Sequence, residues 1–323
     1  MFRILLERIL ESADLRIDGD RPCDMHVHDE RAFKEIILRG SLGFGESYMR
    51  GWWDCDDLEV FFKRLLSARL DRFGKFSPVS AGRYLRDHFT NPASRKRAFE
   101  TGRAHYDLGN DFFAKMLGAS MMYTCAYVPS ANRTLDGAQI GKLDMVCRKL
   151  KLHPGQRVLD IGCGFGSLAK FAAEHYGVSV TGITVSKEQA EFARELCRDL
   201  PVEIKVEDYR DCEGSFDRIV SLGMFEHVEP KHYGDYFACI ERCLAPGGIF
   251  LLHTIGKEEN DISSDPFIRK YVFPQGMIPG RKRLREAIEA RFRIVDWHGF
   301  GPWRYAWTLR EWHRNFSEAW PEL

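Results

Sequence analysis

The sequence predicts an α/β protein in which a mostly parallel sheet, covered by helices on both faces, follows a smaller, mainly helical N-terminal domain. Three observations carry this. From Gly155 onward, short apolar runs alternate with helical stretches, the pattern of successive β-α-β units. A strand over residues 158–161 runs into three closely spaced glycines and then a helix. Before Ser94 the texture differs, and Asn91-Pro92-Ala93-Ser94 supplies a linker, because proline disfavours helix at the residue before it. The domains so defined are residues 1–94 and 95–323.

In the N-terminal domain, residues 1–10 carry charges inside an apolar pattern and read as an amphipathic helix, not a secretory leader. Such a helix suits either membrane docking or packing in a homodimer. His26-Val27-His28 has the H-x-H spacing that puts both rings on one face of a strand. No third and fourth ligands fall at zinc spacing, so no metal is expected. Gly40-Ser41-Leu42-Gly43-Phe44-Gly45-Glu46-Ser47 reads as a break between helices.

In the larger domain, residues 157–161, 178–184, 202–206, 218–222 and 249–253 read as strands, and 167–176, 186–200 and 232–244 as helices. Ala245-Pro246-Gly247-Gly248 reads as a helix stop and turn before the fifth strand. A sheet of this kind binds ligands at the carboxyl ends of its strands.

Composition narrows the partners. Lys+Arg and Asp+Glu balance at 47 each, which gives no reason to expect nucleic acid; Arg95-Lys96-Arg97 and Arg281-Lys282-Arg283 read as solvated faces. Nine cysteines without framework spacing fit the reducing cytoplasm. No run approaches the ~20 apolar residues of a membrane span.

The glycine turn, Asp160-Ile161-Gly162-Cys163-Gly164-Phe165-Gly166, has two competing ligands. A dinucleotide site wants G-x-G-x-x-G and an acidic residue at the end of the next strand. Here the spacing is G-x-G-x-G, and the second strand ends in Ile183-Thr184-Val185. Asp160, just before the first glycine, suits a ligand carrying an ammonium and a sulfonium, whereas a pyrophosphate prefers uncompensated amides at a helix N-terminus. The pattern therefore favours S-adenosylmethionine and a Rossmann-like class I methyltransferase fold. At the end of the third strand, Asp208 supplies a carboxylate that can accept from an adenine amino group, and Tyr209 an aromatic that can flank the ring.

Beyond the cofactor turn, the chain resembles bacterial cyclopropane-fatty-acyl-phospholipid synthases and the related mycolic acid methyltransferases along nearly its whole length. The resemblance rests on residues 40–53 (GSLGFGESYMRGWW), like an N-terminal signature of the phospholipid-acting synthases, and on His105-Tyr106-Asp107-Leu108-Gly109-Asn110, Tyr123-Thr124-Cys125-Ala126-Tyr127, Gly223-Met224-Phe225-Glu226-His227-Val228 and Leu252-His253-Thr254-Ile255-Gly256. It implies a bound bicarbonate acting as base, held by Cys125, Glu226, His253, the backbone of Ile255, and Tyr305. For the cofactor it implies Tyr123, Gly162, Gly164, Thr184, Gln189 and Tyr209, with Asp160 and Asp208.

The implied reaction makes sense of these residue types. An isolated alkene is a poor nucleophile, so it needs an electrophilic methyl held in line within a dry pocket. Aromatic faces, with Tyr127, Phe225, Trp307 and Tyr305 as candidates, can stabilise positive charge on the acyl chain. A lone buried His or Cys is commonly a core residue; here it is their joint occurrence that counts. Residues 265–274 interleave aromatics with Arg269 and Lys270, which suits gripping an acyl chain beside phosphate headgroups or, equally, a packed lid helix. The expected partner is unsaturated phospholipid, met transiently from the cytoplasmic face of the membrane.

The family pattern continues past Leu323 through further helix and a last strand, so a sheet one strand short, with an exposed edge, is expected. Two other readings stand beside the first: a methyl- or methylene-branching or small-amine methyltransferase of the same fold, and an inactive, C-terminally shortened binder of lipid or cofactor.

Overall fold

A computed structural model describes residues 1–69, 109–128, 134–258, 265–273 and 276–323. The linker at 91–94, the basic run at 95–97 and most of the 105–110 motif lie outside the described residues. The chain forms two compact units, Met1–Pro92 with Ser264–Pro274, and Ala93–Ser263 with Gln275–Leu323. Among the described residues, no helix is long and apolar enough to cross a membrane.

In the first unit, α1 (Phe2–Glu11), α2 (Arg31–Arg39), α3 (Ser41–Met49) and α4 (Leu58–Ser67) surround the two-residue strands β1 (His26–Val27) and β2 (Trp53–Asp54). Leu6, Leu10, Phe33, Ile36, Trp53 and Phe61 are buried together. The Trp53 indole N–H donates to Ser47 Oγ at 3.0 Å and the Phe44 carbonyl at 3.2 Å, so the core's largest side chain is also satisfied. His28 leans on Asp54 at 2.8 Å.

The glycine-rich segment at 40–47 breaks the helix at Gly40 alone, whose φ of 56° ends α2; from Ser41 on it is α3. Its glycines serve close approach. A Cβ on Gly43 would sit 2.1 Å from the Glu35 carbonyl of α2, and one on Gly45 would sit 2.0 Å from the Phe267 ring. Tertiary packing thus outweighs the roughly 1 kcal/mol helix penalty of each glycine.

Beneath that ring lies Glu46, 4% exposed. It accepts from Lys270 Nζ at 2.7 Å and from the Tyr271 hydroxyl at 3.1 Å, and pairs with Arg39 at 2.7 Å. Lys270 thus keeps the solvent-facing side chain that one reading of the sequence suggests, 53% exposed, while its ammonium is tied to Glu46. It is an anchor for residues 265–273.

The second unit holds a five-stranded, all-parallel sheet in the order β5-β4-β3-β6-β7. The strands are β3 (Arg157–Ile161), β4 (Ser179–Thr184), β5 (Val202–Val206), β6 (Phe216–Leu222) and β7 (Leu244–His253). Alternation along β3 splits the core into two layers: Val158 packs with Leu143, Val146 and Leu168, while Leu159 and Ile161 pack with Phe225, Tyr236 and Phe237. The covering helices are α5 (Asn110–Leu117), α6 (Leu135–Lys149), α7 (Ser167–Tyr176), α8 (Lys187–Leu196), α9 (Tyr233–Cys243), α10 (Arg281–Glu289) and α11 (Pro302–Ala319).

Strand order reverses between β3 and β6, which opens a crevice at their carboxyl ends. Two local readings change. Helix α8 stops at Leu196, short of residue 200. Residues 245–248 are absorbed as an irregularity inside β7, whose register jumps from Phe216↔Leu244 to Arg218↔Ile249.

Burial by itself raises the Glu46 carboxyl, but Lys270, Arg39 and Tyr271 take it down to about 2. The stabilisation is complete above the unfolded value near ~4.3 and is lost as pH falls through about 2. Glu46→Gln is expected to cost about 1–2 kcal/mol at neutral pH, less than a fully buried pair because the Lys270 side chain stays 53% exposed. Urea unfolding of both proteins should show this difference shrinking from about pH 5 to about pH 2; a constant difference would assign Glu46 to packing alone.

Candidate active site

The three glycines after β3 divide their work. Gly162, Gly164 and Gly166 all have positive φ, at 77°, 55° and 84°, which glycine alone adopts readily. A Cβ on Gly162 would meet Met224 at 2.7 Å, and one on Gly166 would meet Ala193 at 2.8 Å, so these two let the turn seat against its neighbours. Gly164 has nothing within 4 Å of its Cβ position and is the open face of the cradle. The Gly162 and Cys163 amides both donate to the Ile183 carbonyl, at 2.9 and 3.0 Å, which pins the turn to the end of β4.

Asp160 is 2% exposed, and burial pushes its carboxyl up to about 7. A buried carboxyl beside an open glycine turn fits a ligand with a positively charged end. The Thr184 hydroxyl and the Gln189 side chain meet at 2.9 Å, and Ser186 caps α8 by accepting the Gln189 N–H at 3.2 Å. Tyr123 lies between Phe113 and Trp312, with ring centroids at 5.6 and 5.4 Å. Tyr209 packs edge-on against Tyr236 at 5.2 Å, and burial raises its phenol to about 12.

Asp208 departs from expectation. Arg210 binds it through Nε at 2.8 Å and Nη2 at 2.6 Å, and the Arg210 N–H adds a bond at 3.0 Å. Both oxygens already serve the turn, so the carboxylate is not a free acceptor.

The residues expected to hold the base come from distant parts of the chain. Pairing of Leu222 with His253 sets the ends of β6 and β7 side by side. Glu226 follows in a short 3-10 turn, and its Oε1 accepts the Ile255 N–H at 2.7 Å. The Ile255 amide, which the resemblance places at the anion, holds Glu226 in this structure. Glu226 Oε2 and His253 Nδ1 are buried with no hydrogen-bond partner among the described residues. Burial raises the Glu226 carboxyl and drops the His253 imidazole to about 3, so the histidine is neutral. Tyr305 on α11 feels the charges of both Glu226 and Cys125, and burial takes its phenol to about 12. Two unpartnered buried polar atoms amid neutral donors and acceptors fit a small hydrogen-bonding anion.

Among the candidate aromatics, Tyr127 faces Phe300 at 5.3 Å, and Phe300 faces His253 at 5.7 Å. Phe225 is different. It is fully buried against Tyr233, Tyr236 and Phe237 and belongs to the core.

Sequence reading missed the supports of Cys125. Gln139 donates to the Thr124 carbonyl at 2.9 Å, Thr308 accepts the Ala126 N–H at 3.0 Å, and Lys142 reaches Thr124 and Cys125. Gly223 makes room for the same strap, because a Cβ there would lie 2.5 Å from Thr124 Cγ2. The available signal was two polar residues, Gln139 and Lys142, on the buried face of α6 among Ala138, Leu143 and Val146.

Residues 93–323 match the family described as mycolic acid cyclopropane synthetase. The chain is 48% identical over 322 residues to the cyclopropane-fatty-acyl-phospholipid synthase of Escherichia coli strain K12, a match covering 100% of this chain and 84% of that protein. Among solved structures, the cyclopropane synthase MmaA2 from Mycobacterium tuberculosis is similar with a TM-score of 0.65 at 33% identity, covering 69% of this chain and 85% of that one. The mycolic acid cyclopropane synthase CmaA1, complexed with SAH and CTAB, gives 0.63 at 34% identity, covering 67% and 82%.

A cation binding beside Asp160 favours the ionised carboxylate. Affinity for S-adenosylmethionine is therefore expected to rise with pH through about 7 and to level off above it. Asp160→Asn should weaken binding on the order of tenfold and flatten that dependence. Calorimetric titration across this range checks both; an unchanged profile in the variant would place the titrating group elsewhere.

Proposed function

The chain belongs to the mycolic acid cyclopropane synthetase family, and from that premise we propose that it forms cyclopropane rings on unsaturated phospholipid. A methylene from S-adenosylmethionine adds across a cis double bond of an acyl chain, with bicarbonate as the base. The observation that carries the base assignment is the pair of unpartnered buried atoms, Glu226 Oε2 and His253 Nδ1. The phospholipid assignment rests on the relative matched along the whole chain, N-terminal unit included.

The sulfonium of S-adenosylmethionine supplies an electrophilic methyl group when bound. Asp160, the open Gly164 turn, Thr184, Gln189 and Tyr209 hold that end of the site. Bicarbonate, held by Cys125, Glu226, His253 and Tyr305, supplies a base small enough to reach a proton on the added carbon.

The protein's own groups set the conditions. Glu226, its carboxyl raised by burial and oriented by the Ile255 N–H, can share a proton through Oε2 with a neighbouring oxygen. His253 stays neutral and offers Nδ1 without adding charge. Tyr305 keeps its phenol proton and remains a donor. The faces of Tyr127, Phe300 and Tyr305 can stabilise positive charge on the acyl chain by up to ~2 kcal/mol where water is excluded.

Contact with the bilayer is part of the proposal. Ile4 and Leu5 are exposed apolar side chains on the amphipathic helix α1, and a helix of this kind suits transient peripheral docking from the cytoplasmic face or packing in a homodimer.

Protein, S-adenosylmethionine and vesicles of unsaturated phosphatidylethanolamine should yield acyl chains heavier by one methylene, with ring protons in the product NMR spectrum. A branch or an N-methyl group would redirect the acceptor. Removing bicarbonate should stop turnover and restoring it should rescue it. Glu226→Gln and His253→Ala should each lower turnover by about 100-fold or more with S-adenosylmethionine affinity intact; wild-type rates in either variant would sink the base assignment.

A further inference from the structure

Lys142 is a charged residue in a place that favours none. It lies mid-helix on α6, 1% exposed, beside buried Leu143 and Val146. Burying an ammonium costs several kcal/mol unless an anion faces it, and among the described residues Lys142 makes no ion pair. Its Nζ meets only neutral oxygens: Thr124 Oγ1 at 2.5 Å, the Cys125 carbonyl at 3.2 Å and the Thr124 carbonyl at 3.4 Å. A methionine would fill the same space without that cost.

The strap it holds is aimed. Gln139 and Lys142 grip the Thr124 carbonyl from α6, and in a trans peptide the following N–H, that of Cys125, points the opposite way. Thr308 takes the next N–H, that of Ala126, and Gly223 lets Thr124 seat against the end of β6. The Cys125 N–H has no acceptor among the described residues. Like Glu226 Oε2 and His253 Nδ1, it is left without a partner there.

The base site lacks a positive charge of its own. His253 is neutral, Tyr305 and the Cys125 thiol keep their protons, and Glu226 contributes none. The other nearby cation, Arg304, donates to the Val128 carbonyl at 3.2 Å and lies over the rings of Tyr127, Phe300 and Trp303. We propose that Lys142 is the counter-charge and positioning residue of the anion site, holding the Thr124–Cys125 strap so that the Cys125 N–H faces the anion and supplying the positive charge that balances it. The inference rests on the bicarbonate reading above. Burial leaves the lysine at about 7, poised so that an arriving anion draws it into its charged form.

The test is direct binding of carbon-13 bicarbonate, read by NMR line broadening from pH 7 to 9 in the presence of S-adenosylhomocysteine. Bicarbonate affinity of the wild type should fall as pH rises over this range, because Lys142 loses its charge. Of the groups facing it, Cys125, His253 and Tyr305 are shifted outside that range, and Glu226 is controlled by running Glu226→Gln in parallel. Lys142→Met should bind bicarbonate on the order of tenfold more weakly at pH 7, with no pH slope, while its S-adenosylhomocysteine affinity changes less than about twofold. Wild-type affinity in Lys142→Met would overturn the role of Lys142 and leave the anion site standing. Absence of bicarbonate binding by the wild type would overturn the anion site itself. Should Lys142→Met not fold, the slope decides: its persistence in Glu226→Gln supports Lys142, and a flat wild-type profile refutes it.

Discussion

The Ile255 N–H donates to Glu226 at 2.7 Å, and the Gly223 N–H donates to the His253 carbonyl at 2.9 Å; these two bonds carry the register of β6 and β7 beyond the sheet. A parallel pair in register delivers both strand ends to the same level, and here each end continues into residues proposed to hold the base. A shift of one residue would exchange the two faces of a strand and turn His253 away from Glu226. The irregularity within β7 is tolerable because it lies at the other end, between Leu244 and Ile249.

The polar groups of the site share an electrostatic condition. Asp160, Glu226, His253 and Lys142 are each pushed by burial toward their neutral forms. Such a protein folds without stranding full charges in low dielectric; for the proposed ligands, Asp160 and Lys142 gain their charge when a ligand of opposite sign arrives, whereas Glu226 and His253 meet the anion in their neutral forms. Cofactor binding and anion binding are then both coupled to protons, but in opposite senses: ionising Asp160 releases one, and charging Lys142 takes one up.

Legibility in the sequence followed the range of the interaction concerned. The five strands and the glycine turn were readable because alternation and glycine spacing are local. Glu226, His253, Cys125 and Tyr305 are far apart in the chain, and resemblance, not periodicity, brought them together. Where tertiary packing outweighs local preference, the local reading fell short: beyond Gly40 the glycine-rich stretch is helix because α2 and Phe267 press on Gly43 and Gly45. Phe225, adjacent to Glu226, turns into the core, since in a 3-10 turn neighbouring side chains point about a third of a turn apart. Lys142 was hidden for a different reason. A lysine within a helical run looks solvent-facing until its register with Leu143 and Val146 is counted.

Chain connectivity places a further constraint on Glu226. Ile255, whose amide orients the Glu226 side chain, lies just before the stretch that leaves for the first unit, and Met277, whose N–H donates to the Glu226 carbonyl at 2.7 Å, lies just after it returns. Two amides, one on each side of that stretch, thus hold Glu226 at two points: the Ile255 N–H orients its side chain and the Met277 N–H fixes its main chain. A carboxylate held at Oε1 and at its own carbonyl presents Oε2 in a set position, which is what sharing a proton at that oxygen requires.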